Sequence, residues 1–87
     1  MITGKTKSGF KFELDENILD DWEYLELLSE IDEGKIQKLP KMFETLLGKD
    51  QYKALKDFLR KDGKVSAESM ANAFDEIMSA VNDLKNS

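Results

Sequence analysis

The stretch from Asp15 to Glu33, DENILDDWEYLELLSEIDE, carries the clearest pattern in the chain. Ile18, Trp22, Leu25 and Leu28 recur at steps of four, three and three. Leu19 widens this stripe, and Tyr24, Leu27 and Ile31 run as a second apolar line beside it. The period is helical, and the positions between the apolar ones are strongly acidic. Asp15 stands where an N-cap belongs, and Gly34 where a left-handed residue would end the helix. The pattern predicts one helix over about 15–33, with Trp22 as a core anchor on the main stripe. Tyr24, Leu27 and Ile31 are then in surplus and free for a partner.

Upstream the period changes to two. Phe10, Phe12 and Leu14 alternate with Lys11 and Glu13, which predicts a half-buried strand. Ile2, Gly4 and Thr6 can pair opposite them across a Lys7-Ser8-Gly9 turn. A lone two-stranded hairpin is marginal in water, so its aromatic face is expected to pack on the first helix, and its edge can also add to another chain's sheet. Downstream, Ile36, Leu39, Phe43, Leu46 and Leu47 trace a helical stripe that ends at Gly48, with Pro40 in the first turn. Met42 lies off that stripe and is expected at the surface. A third helix is predicted from about Lys49 to Lys61, with Tyr52, Leu55, Phe58 and Leu59 on one side and Asp62-Gly63 closing it. Ser66 reads as the N-cap of a last helix carrying Met70, Phe74, Ile77, Met78, Val81 and Leu84, which ends at Asn86-Ser87. The fold class is mainly α: one domain over 1–87, with a short N-terminal β-hairpin (1–14) followed by about four amphipathic helices in one small bundle (15–87).

Composition narrows the chemistry. The 87 residues include no cysteine and no histidine. Thiolate chemistry and disulfides are excluded, and the commonest general base and metal ligand are missing. No apolar run approaches membrane-spanning length, and Met1–Lys11 has no hydrophobic signal-peptide centre, so a soluble intracellular protein with no membrane partner is expected. A net charge of -5 argues against binding nucleic acid by phosphate neutralisation. The charge is divided: residues 13–33 hold ten Asp and Glu with no Lys or Arg, while 35–64 hold nine Lys and Arg against four acids. Two faces attracting each other weakly inside the fold would account for this division, and so would complementarity between copies in a homo-oligomer.

Three motifs invite a chemical reading and none sustains it. With Gly63 at the sixth position of a calcium loop, the ligand positions include Phe58, Arg60, Asp62 and Ser69. Only Asp62 offers a carboxylate, so no metal site is expected. Glu68-Ser69-Met70 resembles the serine attachment site of acyl carrier proteins, yet only one helix follows Ser69 and such carriers lack an N-terminal hairpin. Asp20, Asp21 and Glu23 sit on a wet helix face with no pocket to separate their pKa values. No catalytic residues, no cofactor and no enzymatic activity are expected.

The order of the pieces is more informative. GKTKSGFKFELDE, DDWEYLELLSEIDEG, LPKMFETLLGKDQYKALKDFLRKDGKV and a closing amphipathic helix together resemble the small tail assembly chaperones of long-tailed bacteriophages and Gram-positive prophages. The resemblance covers nearly the whole chain. It implies a non-enzymatic protein of the bacterial host cytoplasm, absent from the mature virion. Such a chaperone binds the long helical tape-measure protein, keeps it soluble and helps recruit tail-tube protein around it. A ribosomal frameshift that yields a longer form is also a feature of many such phages. Helix-in-groove recognition and adaptable methionines suit such a client, and the residues expected to bind it are Tyr24, Leu27, Ile31 and Met42. The alternative is a small acidic protein-interaction or regulatory module acting through its first helix.

Overall fold

The computed structural model describes residues 1–86, with side chains as far as Leu84. The chain opens with an antiparallel hairpin, β1 (Ile2–Lys5) and β2 (Lys11–Leu14), in which Ile2 faces Leu14 and Gly4 faces Phe12. The Thr6 N–H donates to the Phe10 carbonyl at 2.9 Å, and the Phe10 N–H to the Thr6 hydroxyl at 3.0 Å, so the Lys7-Ser8-Gly9 turn is pinned from both sides. Alternation then does what its period requires. Phe10, Phe12 and Leu14 are buried while Lys11 and Glu13 are exposed. Gly4 has a packing reason to be glycine, because a Cβ there would lie 2.8 Å from the tip of the Phe12 ring.

The hairpin packs mainly on the second and third α-helices, β2 against one and β1 against the other, rather than on the first helix as its sequence position suggested. Two polar ties hold it there. The Ser8 N–H and hydroxyl donate to the two carboxylate oxygens of Glu76, at 2.8 and 3.2 Å. The Gln51 side-chain amide accepts from the Glu13 N–H at 2.8 Å and donates to the Glu13 carbonyl, so it mimics a neighbouring strand and covers that part of the free β2 edge.

The acidic stretch is not one helix. Asp15 caps a 3-10 turn, Glu16–Asp20, by accepting from the Asn17 N–H at 2.9 Å. Asp21 then takes an extended backbone, with ψ 127°, and its carboxylate accepts from the Tyr24 N–H at 3.0 Å, so it caps α1 (Trp22–Asp32). This break resets the helical phase, and the stripe that ran through Ile18, Trp22 and Leu25 ceases to be continuous. Within α1 the inward set is Tyr24, Leu27, Leu28 and Ile31, an i, i+3, i+4, i+7 series packed on the core. Trp22 is 74 % exposed and Leu25 41 %. The core anchor of this helix is therefore Tyr24, at 1 %, and not Trp22. We expect Trp22→Ala to change the folding free energy by no more than about 0.5 kcal/mol, as ordinary surface substitutions do. Acrylamide should quench the indole fluorescence of the native protein nearly as well as that of the unfolded chain.

A second 3-10 turn, Ile36–Lys38, leads into α2 (Leu39–Leu59), and α3 spans Ala67–Asn86. The described chain thus has three α-helices where about four were expected. The second and third predicted helices run as a single element, bent at Gly48, where φ 82° and ψ 162° leave the helical region. Asp62 and Gly63, both at positive φ, form a two-residue turn closed by reciprocal Lys61–Lys64 backbone bonds of 2.8 and 2.9 Å. Ser66 caps α3, its hydroxyl accepting from the Ser69 N–H at 3.0 Å. Ser87, part of the expected end of the last helix, lies outside the described residues. Met42, Phe43, Leu46, Leu47 and Leu55 of α2 meet Ala73, Ile77 and Val81 of α3 and the aromatic face of the hairpin in one core.

Among the described residues, Tyr24 carries the buried side-chain polar atom that the core leaves unsatisfied. Its hydroxyl is buried with no hydrogen-bond partner, and burial pushes its pKa up from 10.0 to about 12. An unsatisfied buried hydroxyl costs about 1–3 kcal/mol, so Tyr24→Phe should raise stability by a good part of that. The unfolded chain ionises its tyrosine above about pH 10, whereas the folded one holds the proton until about 12. Stability is therefore full below pH 10 and lost at about 1.4 kcal/mol per unit as pH rises through this window. Urea melts at pH 8, 10 and 11.5 should show that loss for the parent and a smaller one for Tyr24→Phe.

Candidate functional site

The residues expected to bind a partner do not form a surface. Tyr24 and Met42 are buried, at 1 % and 0 % exposure, and Leu27 and Ile31 are half-buried against the core. Their expected role as an exposed patch is corrected by the phase reset at Asp21, which turns the second apolar line inward. Met42 is carried inward by the same turn of α2 that buries Phe43, since adjacent positions both reach a core that surrounds the helix on two sides. The methionines of α3, Met70 and Met78, are half-buried on the rim of that core.

An apolar groove lies elsewhere. Ile36, Leu39, Pro40, Phe43, Tyr52, Ala67 and Met70 line an open depression of about 190 Å³ between the start of α2, its second limb and the start of α3. The bend at Gly48 makes it. In an unbroken helix Phe43 and Tyr52 would sit roughly 13–14 Å apart along the axis and on opposite faces. Here their rings stack 6.0 Å apart and 3° from parallel. Phe74 meets Phe43 edge-on at 6.1 Å, and Lys56 lies over the Tyr52 ring at 4.3 Å. These contacts fix the floor of the groove, while Ile36, 66 % exposed, stands free on its rim. The Ser66 cap sets where α3 begins and so where Ala67 and Met70 enter the wall.

A second depression, about 390 Å³, runs between α1 and the first limb of α2 and is acidic. Asp21, Glu23, Glu26 and Glu30 line it with Leu27, Thr45 and Lys41. Glu30 is paired with Lys38 at 3.8 Å. Among the described residues no group of His, Cys, Asp or Glu is placed to hold a metal ion, and no helix is long and apolar enough to cross a membrane. The Ser69 hydroxyl is engaged with Ser66 Oγ at 2.8 Å, inside the cap of α3.

The groove was legible only in pieces. In the sequence Ile36 opens one apolar stripe and Tyr52 belongs to another. A signal was present in Pro40, because a helix whose first turn holds proline needs a lead-in, and Ile36 falls in that lead-in. Comparison with protein-family models, curated proteins and solved structures finds no match to this chain.

Proposed function

We propose that this protein is a non-enzymatic assembly chaperone whose groove holds an apolar helical segment of a client, and that the client is the tape-measure protein of a long-tailed phage. The observation that carries this reading is the open groove lined almost wholly by apolar side chains, with Ile36 exposed on its rim. Exposed apolar surface of this kind marks interaction sites, and a helix presenting residues at i, i+3 and i+7 fits a groove between helices. Tyr52 and Met70 give the walls aromatic area and adaptability, which suits a client whose apolar residues vary along its length. The identity of the client comes from the family resemblance of the whole chain. In this role the protein acts in the host cytoplasm, promotes tail-tube assembly around the client and does not enter the mature virion.

Co-expression tests it. The tape-measure protein from the same gene cluster should be soluble with the parent and insoluble with Ile36→Asp, which places a charge on the exposed rim and leaves the core untouched. Rescue that is equal with both proteins would remove the groove from the account. A second reading, an acidic module that binds a protein through α1, is favoured by the outward exposure of Trp22 and Leu25 among carboxylates.

A further inference from the structure

Among the described residues the two charge blocks of the sequence meet inside the fold in one ion pair, Lys38–Glu30, and most of their charges stay outside it. Among the described residues the ion pairs are Lys38–Glu30 at 3.8 Å and Arg60–Asp57 at 3.4 Å. Glu23, Glu26 and Glu33 on α1 and at its end, and Lys49 and Lys53 on α2, are exposed and engaged in neither. Their spacing is ordered. Glu23, Glu26, Glu30 and Glu33 stand at i, i+3, i+7 and i+10, one acidic line along α1, with the exposed Trp22 at its edge. Lys49, Lys53, Lys56 and Arg60 stand at i, i+4, i+7 and i+11, one basic line along the second limb of α2. At 1.5 Å per residue the lines are roughly 15 and 16 Å long, so they match in length as well as in sign.

We propose that the acidic line of α1, with Trp22 at its edge, docks on the basic limb of α2 of a second copy of this chain. The carboxylates align with the lysines, and the Trp22 indole supplies both apolar contact and a face for a lysine or arginine cation. The two surfaces lie on different helices, so every copy offers one of each, and copies join head to tail or twice around a twofold axis. Lys56, on the basic line, lies over the Tyr52 ring of the groove, so the contact borders the groove, and the two are told apart because association is measured with no client present.

Sedimentation velocity on the purified full chain decides it, without any client. At ~20 mM salt the parent should sediment as a dimer or larger, and at ~500 mM salt as a monomer, because exposed charges are screened within a few ångströms there. Glu26→Lys with Glu33→Lys, and separately Lys49→Glu with Lys53→Glu, should each be monomeric at low salt. An equal mixture of the two double variants should associate again, since each then carries the surface complementary to the other. Thermal melts check that both variants fold, and the salt dependence of the parent stands whether or not they do. A parent that is monomeric at low salt overturns the proposal. So does association that survives high salt, or folded variants whose mixture stays monomeric.

Discussion

Phe43→Ala should cost about 3–5 kcal/mol, the largest loss expected of any single truncation in this chain. Phe43 is 1 % exposed and stands where the two limbs of α2 and the inner face of α3 converge, stacked on Tyr52 and edge-on to Phe74. Removing the ring opens a cavity that neither neighbour can fill, because each is held by its own helix. Single domains of this size have about 5–10 kcal/mol in total, so the variant should be substantially unfolded near physiological temperature. A urea midpoint close to the parent's would mean that the aromatic cluster is not the centre of the core.

Gly48→Ala should cost about 1–3 kcal/mol, and for a different reason. A Cβ at this position would meet no atom within 4 Å, so packing does not forbid it. The backbone does: φ 82° with ψ 162° lies in a region that essentially only glycine adopts. The variant can relieve that strain only by straightening α2, which would pull Tyr52 away from Phe43 and flatten the groove. Loss of client binding is therefore expected together with loss of stability. The exposed neighbour Lys49→Ala serves as the control, expected within about 0.5 kcal/mol of the parent. Equal melting of parent and Gly48→Ala would show that the bend is not imposed by this residue.

Those two residues also show what the sequence could and could not give. Local signals were accurate where a short-range rule decides. The period-two hairpin, the Lys7-Ser8-Gly9 turn, the Ser66 cap and the end of a stripe at Gly48 all follow from neighbours a few residues apart. Local rules mislead where a second local pattern competes with the first. With Asp15 as the single N-cap Trp22 stays in phase with Ile18 and points to the core, whereas Asp21, which the sequence shows only as one acid of a wet face, caps as well. The structure uses both caps, which breaks the phase and turns Tyr24, Leu27 and Ile31 inward. The acids offered a clue, since Glu23, Glu26, Glu30 and Glu33 mark the wet side of α1 and Tyr24, Leu28 and Ile31 lie away from it.

The groove was less legible because it belongs to no single element. Its floor needs Phe43 and Tyr52 together, nine residues apart, and only the bend at Gly48 brings them to one side. A glycine in the sequence announces that a helix can end or bend there, but the direction of the bend is set by how the hairpin and α3 pack on the two limbs. The same holds for the hairpin, whose partners, α2 and α3, come later in the chain than α1.

Chemical-shift mapping tests the central claim most directly. A synthetic amphipathic helix taken from the tape-measure protein, titrated into isotopically labelled protein, should shift the amide signals of Ile36, Leu39, Tyr52, Ala67 and Met70 in a saturable way. The outward face of α1 should stay unmoved, and Ile36→Asp should weaken the binding at least about tenfold, which corresponds to about 1.4 kcal/mol. Shifts confined to Trp22, Leu25 and their acidic neighbours, or none at all at saturating peptide, would contradict it.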